Sequence, residues 1–245
     1  MASDESKRAG ANNGKRIAKR IASAGLCSRR EAERWIVAGR VAVDGTVLTS
    51  PAVLVTPVSR ITVDGQPLPD DQPTRLWRYH KPAGLLTTHR DPQGRTTVFS
   101  RLPTHLPRVV SVGRLDLHSE GLLLITTSGQ LAGTLESPAK GWKRRYRVRV
   151  HGKPSIHALE ELAKGLTVDG VRYGPVEAAL DQQRGSNAWL TMSLREGKNR
   201  EVRKLCAQMN LKVNHHCLTT ILKARYKQLY LLHWRRSCLL YTSDA

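Results

Sequence analysis

The sequence lacks any apolar run of the roughly 18–20 residues that a membrane-spanning helix needs. Its first segment, MASDESKRAGANNGKR, has neither an apolar core nor a small-residue cleavage site, so we expect no secretory signal. These absences predict a cytoplasmic protein with no membrane partner. The hydrophobic fraction is an ordinary 40%, which predicts a folded chain with one large or two modest domains.

Cysteine is scarce, and the four cysteines form neither a CxxC pair nor a zinc-like spacing with histidine. Cys27 and Cys206 stand among apolar residues, so we expect them to be small buried side chains. His215, His216 and Cys217 are adjacent in sequence, and adjacent side chains rarely share one metal ion. The sequence therefore predicts no metal site.

Carboxylates are few: 20 Asp and Glu residues oppose 40 Lys and Arg residues, for a formal net charge of +20. Such an excess favours polyanionic partners, either nucleic acid or an anionic membrane. Membrane binding would need a basic amphipathic helix with bulky apolar residues on its other side. The basic residues are instead spread over several segments, which indicates a nucleic acid with an extended contact area.

The first part of the chain has the turn and cap signals of a small α+β unit. An apolar helical pattern ends at Gly25, and Ser28 with Glu31 forms a capping box for a second helix. Asp44-Gly45 and Asp64-Gly65 are turn signals beside short strands. The predicted elements are helices from about Ile17 to Ala24 and Arg29 to Ala38, and strands at Val41 to Val43, Val47, and Ile61 to Val63.

Cations cluster on this unit, and a charged helix face is usually just solvent-exposed. Only Glu31 and Glu33 stand among these cations, whereas a merely soluble face normally mixes the two signs. Arg16 and Arg20 are four residues apart, so we expect them on one side of the first helix. The cluster therefore indicates RNA or DNA binding. Its candidate contacts are Lys15, Arg16, Lys19, Arg20, Arg29, Arg30 and Arg34.

The stretch GLCSRREAERWIVAGRVAVDG resembles the S4-type RNA-binding domain, and the resemblance covers about residues 14–70. It includes SRR-x-A at the start of a helix and G-R-V-x-V-x-G after it. The resemblance implies two helices and a small sheet that grip structured RNA largely through its phosphates.

The second part of the chain is rich in strands with interspersed helices, and it follows a proline-rich, polar linker. The mixed order with hairpin-like spacing predicts an α+β domain with a largely antiparallel or mixed sheet flanked by helices. The predicted strands are Leu76–His80, Val109–Val112, Leu122–Thr127, Tyr146–Val150, Val176–Leu180 and Trp189–Leu194. The predicted helices are about 129–136, 155–164 and 200–209.

Two neighbouring segments of this part are candidates for chemistry. KPAGLLTT, residues 81–88, follows a strand and has the pattern of an ordinary strand–turn–strand. GRLDLHSEG carries Asp116 between Gly113 and Gly121, ahead of the apolar strand LLLITT. A loop held between two strands is a good platform for a catalytic group. Because loop aspartates are more often turn residues, the pattern alone leaves both interpretations open.

Two later segments combine cations with apolar positions. In KRRYRVRV, Tyr146 shares one strand face with Val148 and Val150 while arginines occupy the other. An aromatic residue there is usually core, yet an aromatic bordered by cations can also stack a base. In LREGKNREVRKL we expect Asn199 to cap a helix whose basic residues, including Arg203, lie off its buried stripe.

Together these segments resemble the RsuA/RluB family of ribosomal RNA pseudouridine synthases. The matching motifs are KPAGLLTT, DPQGRTTVFSRLP, VGRLDLHSEGLLLITTSGQLA, KRRYRVRV and LREGKNREVRKL, in family order behind the S4-type domain. The resemblance covers about residues 14–214. DPQGRTTVF favours the RluB side, which implies 23S rRNA or a pre-50S particle as the partner. Separately, we expect a monomer.

The resemblance also assigns roles to residues. Asp116 would be the catalytic carboxylate, Tyr146 would stack on the target base, and Arg203 would pair with the aspartate. The reaction is an isomerisation, so the resemblance implies no cofactor and no metal. We further expect substrate RNA contacts in this domain at Lys81, Arg114, Lys143, Arg144, Lys198 and Arg200.

The family pattern breaks after Asn214. The expected V-x-R-L-I-R-x-x-x-G segment and its apolar active-site residue are replaced by HHCLTTILKARYKQLYLLHWRRSCLLYTSDA, which has the character of a shifted reading frame. Leu218 and Ile221 are candidates for part of the missing apolar wall. A catalytically impaired RNA-binding or ribosome-assembly protein is therefore an alternative. A DNA-binding regulator would need a helix-turn-helix reader and a dimer interface, and the sequence indicates neither.

These patterns divide the chain into five parts. They are a disordered tail at 1–13, the S4-type domain at 14–70, a linker at 71–75, the catalytic domain at 76–214 and an aberrant tail at 215–245.

Overall fold

The computed structural model describes residues 14–222 and 241–244, so the tail expected at 1–13 lies outside it. The chain forms two compact units. The first runs to Thr74 and adds Leu106–Val109 and Thr127–Gly129, and the remainder from Arg75 onward forms the second. No helix among the described residues is long and apolar enough to cross a membrane.

The first unit packs two helices on a small sheet. Its four-stranded sheet has the order β3-β2-β5-β6, and β1 pairs separately with β4. The elements are β1 (Lys15–Arg16), α1 (Ile17–Ser23), α2 (Arg29–Val37), β2 (Val41–Val43), β3 (Thr46–Val47), β4 (Leu54–Val55), β5 (Ile61–Val63) and β6 (Gln66–Pro67).

Local signals in the sequence account for these elements. Ser28 Oγ accepts a hydrogen bond from the Glu31 backbone N–H at 3.2 Å, so the predicted cap of α2 is confirmed. The Glu31 carboxylate, however, accepts from Arg34 instead of completing the capping box. Asp44 and Gly45 both have positive φ, as a tight hairpin turn requires. The buried core of the unit consists of Ile17, Ala18, Ile21, Cys27, Ala32, Ile36, Val41, Val55, Ile61 and Val63.

The second unit is built on one large sheet. Its helices are α3 (Gly129–Glu136), α4 (Ile156–Leu162) and α5 (Glu201–Gln208), and short 3-10 turns lie at Phe99–Arg101 and Pro138–Lys140. Its strands are β7 (Arg75–Lys81), β8 (Val110–Val112), β9 (Glu120–Thr126), β10 (Lys143–His151), β11 (Thr167–Val168), β12 (Val171–Arg172), β13 (Glu177–Arg184), β14 (Asn187–Leu194), β15 (Lys212–Leu222) and β16 (Tyr241–Asp244).

The large sheet has the order β13-β14-β10-β15-β9-β7-β16, and β8 pairs with β9 outside that order. Its described pairings are antiparallel except for β15 with β9, which is parallel. The predicted α+β class with a mixed, largely antiparallel sheet is therefore confirmed. The strand β15 lies between β10 and β9, at the centre of the sheet.

The position of β15 differs from the expectation that the catalytic domain ends at 214. The strand runs on from Asn214 to Leu222, so the sheet includes residues that the motif pattern places in the tail. The physical reason is that backbone groups pair with β10 on one side and with β9 on the other, whatever the side chains are. Leu218 is buried opposite Tyr146, as a part of the apolar wall would be, whereas Ile221 is half-buried.

Candidate active site

A buried lysine organises the loop that carries Asp116. In β7 the side chains of Trp77, Tyr79 and Lys81 all point to the buried face, and Lys81 is 0% exposed. Its Nζ donates hydrogen bonds to the backbone carbonyls of Pro82 at 3.0 Å, Asp116 at 3.1 Å and Ser119 at 2.8 Å. Burial lowers the pKa of Lys81 to about 8, and the nearby carboxylate of Asp116 opposes that shift. Lys81 therefore fixes the backbone of the loop.

The rest of KPAGLLTT also holds this loop. The Gly84 N–H donates to the Leu117 carbonyl at 2.7 Å. The Thr87 hydroxyl donates to the Leu115 carbonyl at 2.9 Å and accepts from the Leu115 N–H at 3.3 Å. The segment is thus the scaffold of the Asp116 loop, a role that its strand–turn–strand pattern did not reveal. The sequence pattern that could have indicated this role is that Lys81 falls on the same face of the strand as Trp77 and Tyr79, which are buried.

Asp116 faces two arginines from the start of α5. Its side chain is 31% exposed, and Oδ2 lies 4.0 Å from Nη1 of Arg200, whose side chain is 50% exposed. Arg203 donates a hydrogen bond to the Val213 carbonyl at 3.2 Å, and its Nε is buried without a partner. Burial lowers the pKa of Arg203, the charge of Arg200 lowers it further, and Asp116 opposes both. Among the described residues, the cation that lies within 4.0 Å of the Asp116 carboxylate is thus Arg200 and not Arg203.

The turn before α5 differs from the sequence prediction. Arg200, not Asn199, is the N-cap, and it has φ of 52° and no side-chain cap bond. The buried Glu201 carboxylate instead accepts from the Lys198 N–H at 2.9 Å, and burial raises the pKa of Glu201. A non-glycine residue in the left-handed region is strained, and such strain concentrates at functional sites. This conformation carries the Arg200 side chain towards Asp116.

Tyr146 lies on the buried face of β10, as the alternation predicts. Burial raises the pKa of Tyr146 to about 12, with a smaller upward contribution from Asp116. Its ring is 4.8 Å from the ring of His216, at an angle of 35°. His216 is 7% exposed, and its Nδ1 lies 2.9 Å from the hydroxyl of Ser119 in the Asp116 loop. Burial lowers the pKa of His216 to about 4. The site therefore places a neutral imidazole and a tyrosine beside the carboxylate loop.

Several predicted RNA contacts of this unit have internal partners instead. Lys81 is buried, so the expectation that it contacts RNA is wrong. Lys143 pairs with Glu177 at 2.7 Å, and Arg144 donates to the backbone carbonyls of the loop before α5. Lys198 donates to the Arg172 carbonyl at 2.6 Å. Sequence spacing did not reveal these partners because they are distant along the chain. Arg114 and Arg200 remain exposed.

The cations of the first unit are also partly engaged. Asp71 accepts hydrogen bonds from Lys15 at 3.0 Å and from Arg20 at 2.9 Å, so more carboxylates offset this cluster than the two that stand within it. Arg16 belongs to β1 rather than to the first helix, so the expectation that it shares a helix face with Arg20 is wrong. Arg34 pairs with Glu31 at 2.9 Å. Of the candidates, Arg16, Lys19, Arg29 and Arg30 have no ion pair within the part of the chain that the structure describes.

Metal ligands do not cluster in the described residues: no group of three or more His, Cys, Asp or Glu side chains is placed to hold an ion. Cys27 and Cys206 are buried, as predicted, and burial raises the pKa of their thiols to about 11 and about 12. Their side chains therefore pack as small apolar groups.

Comparison with known protein families matches both units. The model of the RNA pseudouridylate synthase family matches residues 75–208, more than half of the chain, and the S4 domain model matches residues 15–61. This chain belongs to the RNA pseudouridine synthase family. The resemblance seen in its motifs is thereby confirmed, and family membership favours a synthase over a non-catalytic RNA-binding protein.

Named relatives of this pseudouridine synthase family cover most of the chain. An RNA pseudouridine synthase of Rickettsia prowazekii is 50% identical over 199 residues, which are 81% of this chain and 84% of the relative. The ribosomal large subunit pseudouridine synthase B of Salmonella typhi is 39% identical over 217 residues, or 86% of this chain and 73% of the relative. These relatives support pseudouridine synthase activity.

The fold is also shared with a solved structure. A crystal structure of a pseudouridylate synthase superposes with a TM-score of 0.60 and 22% sequence identity, and the match covers 84% of this chain and 88% of the other. It shows that the two chains have the same fold.

Proposed function

We propose that this pseudouridine synthase isomerises a uridine of large-subunit (23S) rRNA, alone or in a pre-50S particle, as a cytoplasmic monomer without a metal. The similarity to the ribosomal large subunit pseudouridine synthase B of Salmonella typhi supports the choice of rRNA. The S4-type domain, expected over 14–70 and joined by a linker at 71–75, would grip the RNA through phosphates.

The observation that carries the catalytic assignment is the environment of Asp116. Its carboxylate lies 4.0 Å from a guanidinium, on a loop whose backbone is held by a buried lysine. The reaction breaks the bond from ribose C1′ to uracil N1, turns the base and joins C1′ to C5, while the C5 proton is lost and N1 gains one. An ionised carboxylate can act on the sugar by attack at C1′ or by removing the 2′ proton.

The neighbouring residues supply the remaining requirements. Arg200, at 4.0 Å from the Asp116 carboxylate, and Arg203 supply positive charge beside it and would orient it. A uridine must leave its stack to reach the loop, at a cost of a few kcal/mol. Tyr146 would return part of that free energy by stacking on the uracil ring.

The test is the Asp116→Asn variant, because asparagine keeps the size of the side chain and removes its charge. We expect no pseudouridine in 23S rRNA treated with this variant, an RNA affinity within about twofold of the unmodified chain, and an unchanged thermal melt. Exchanging the exposed Asp169 for asparagine is the matched control and should leave turnover intact. Turnover by a folded Asp116→Asn variant would refute the assignment. No product from the unmodified chain would refute the choice of substrate.

A further inference from the structure

A row of arginines lies on the face of the central sheet opposite Tyr146. In β10 the side chains of Arg145, Arg147 and Arg149 are exposed, while the residues between them are buried. Because side chains alternate across a strand, these arginines project away from the face that contains the active-site tyrosine. Residues two apart in a strand are separated by about 7 Å, so the three arginines follow one another along the same face of β10. The catalytic site described above uses none of them.

The neighbouring strands add aromatic rings to this row. Arg149 is opposite Trp189 of β14, and the Arg147 guanidinium lies over the Trp189 ring at 4.8 Å. His215 of β15 meets the same ring edge-on at 5.8 Å. Trp189 is half-buried, so part of the indole faces solvent. We call Arg145, Arg147, Arg149 and Trp189 the basic sheet face.

The carboxylates around this face have other partners. Glu120 pairs with His215 at 3.1 Å, and Asp181 accepts a hydrogen bond from Thr191 at 2.9 Å. Within residues 14–222, no carboxylate lies within 4.0 Å of a guanidinium nitrogen of the three arginines. An acidic side chain on a neighbouring strand would stabilise such an arginine, and these three have no such ion pair among the described residues. Three exposed arginines without acidic partners, next to an indole ring, instead suit a polyanion that carries aromatic bases.

We propose that the basic sheet face is a second RNA-binding surface, which holds phosphates and an unpaired base of the substrate RNA away from the target uridine. The proposal rests on the proposed function, since it takes rRNA as the substrate. Arginine binds phosphate oxygens with two parallel hydrogen bonds, and arginine with an aromatic ring is the composition of surfaces that bind single-stranded nucleic acid. A membrane would instead require bulky apolar side chains between the cations. The occupant that fits is RNA that extends beyond the target loop.

The experiment compares 23S rRNA with a short oligouridylate that can fill only the active site. In the full chain, Arg145→Gln, Arg147→Gln and Arg149→Gln are combined. We expect the affinity for 23S rRNA to fall by about tenfold or more, and the slope of log affinity against log salt to become shallower by about 2–3. Affinity for the oligouridylate and the thermal melt should not change. Trp189→Leu alone should weaken binding of 23S rRNA several-fold without changing the salt slope.

Because the chain is highly basic, a matched control removes the same charge elsewhere. Arg101→Gln, Lys140→Gln and Lys153→Gln neutralise three exposed cations of the same unit that form no ion pair among the described residues. Replacing the three arginines of the face by lysine should keep the salt slope. Equal losses in the control and the face variant, or an unchanged affinity and slope in the face variant, would overturn the proposal. If the unmodified chain forms no pseudouridine, the proposed function fails, but this comparison of affinities still decides whether the face binds RNA.

Discussion

Lys81 Nζ donates a hydrogen bond to the backbone carbonyl of Asp116 at 3.1 Å. The lysine thus holds the Asp116 loop through its main chain and leaves the carboxylate side chain directed towards Arg200. The lysine that positions the loop and the carboxylate proposed to react are therefore different groups, and different substitutions test them.

Lys81→Met should disorder the Asp116 loop, because three backbone carbonyls, that of Ser119 among them buried, lose their donor. We expect a loss of about 2–4 kcal/mol in the free energy of unfolding, and a fall of at least about tenfold in the single-turnover rate. Chemical denaturation and single-turnover assays measure the two effects. Lys140→Met is the matched control at an exposed lysine and should change neither. A fully active and stable Lys81→Met variant would contradict this account of the loop.

Arg200→Gly should slow the reaction without destabilising the fold. Glycine accepts the φ of 52° better than arginine does, so the backbone strain is relieved while the charge opposite Asp116 is lost. We expect the single-turnover rate to fall by up to about tenfold, and the melting temperature to stay the same or rise. Arg200→Lys should restore part of the rate. If Arg200→Gly leaves the rate unaltered at saturating RNA, Arg200 does not contribute to the reaction, and Arg203 alone supplies the positive charge opposite Asp116.

Stability should fall as the pH drops from about 6.5 towards 4, through His216. Its pKa of about 4 in the folded chain is below the ordinary 6.5, so in this window the unfolded chain binds a proton that the folded chain does not. Each pH unit therefore costs about 1.4 kcal/mol, or on the order of 2 kcal/mol by pH 5. Urea unfolding at pH 7 and pH 5 measures this difference.

His216→Gln should remove that part of the pH dependence, because glutamine stays neutral throughout. His157→Gln, at a side chain that is 82% exposed, is the matched control and should retain it. Equal pH dependence in both variants would show that other groups, such as His80, account for the effect, since burial lowers the pKa of His80 as well.

Gly121→Ala should be more destabilising than Gly113→Ala. Both glycines have positive φ, so both variants carry the conformational cost of about 1 kcal/mol. At Gly121 a Cβ would also lie closer than van der Waals contact to the backbone oxygen of Leu218, whereas at Gly113 nothing lies within 4 Å. We expect a further loss of about 2 kcal/mol or more at Gly121, from displacement of β15. Thermal melting compares the two, and equal losses would show that β15 shifts freely.

In the first unit, neutralising Arg16 and Arg29 together should weaken RNA binding more than neutralising Lys15 and Arg20. The first pair lines a surface cavity together with Glu33, but neither arginine forms an ion pair among the described residues, whereas the second pair shares Asp71. We expect the salt slope to become shallower by about 1–2 for the first double variant and by less for the second. Filter binding at several salt concentrations distinguishes them, and the reverse order would show that Asp71 releases its partners to RNA.

The sequence by itself determined the two-part architecture, most of the helices and strands, and the family. Apolar periodicity and turn residues are local signals, so α2, β10 and α5 were predictable within a few residues. Asp116 and Tyr146 were predictable as candidates because ordered motifs surround them, although their roles remain proposals.

Only the tertiary structure decided which charges are engaged. Lys81 is buried, and Asp71 accepts hydrogen bonds from two cations of the first unit. Arg200 lies closer to Asp116 than Arg203 does. Each of these pairings joins residues that are far apart in sequence, and periodicity carries no information about them. The same holds for β15: its side chains resemble a foreign tail, but the open backbone edges of β10 and β9 bind it in the centre of the sheet. Hydrogen bonding of the main chain, rather than side-chain pattern, placed His216 and Leu218 beside Tyr146.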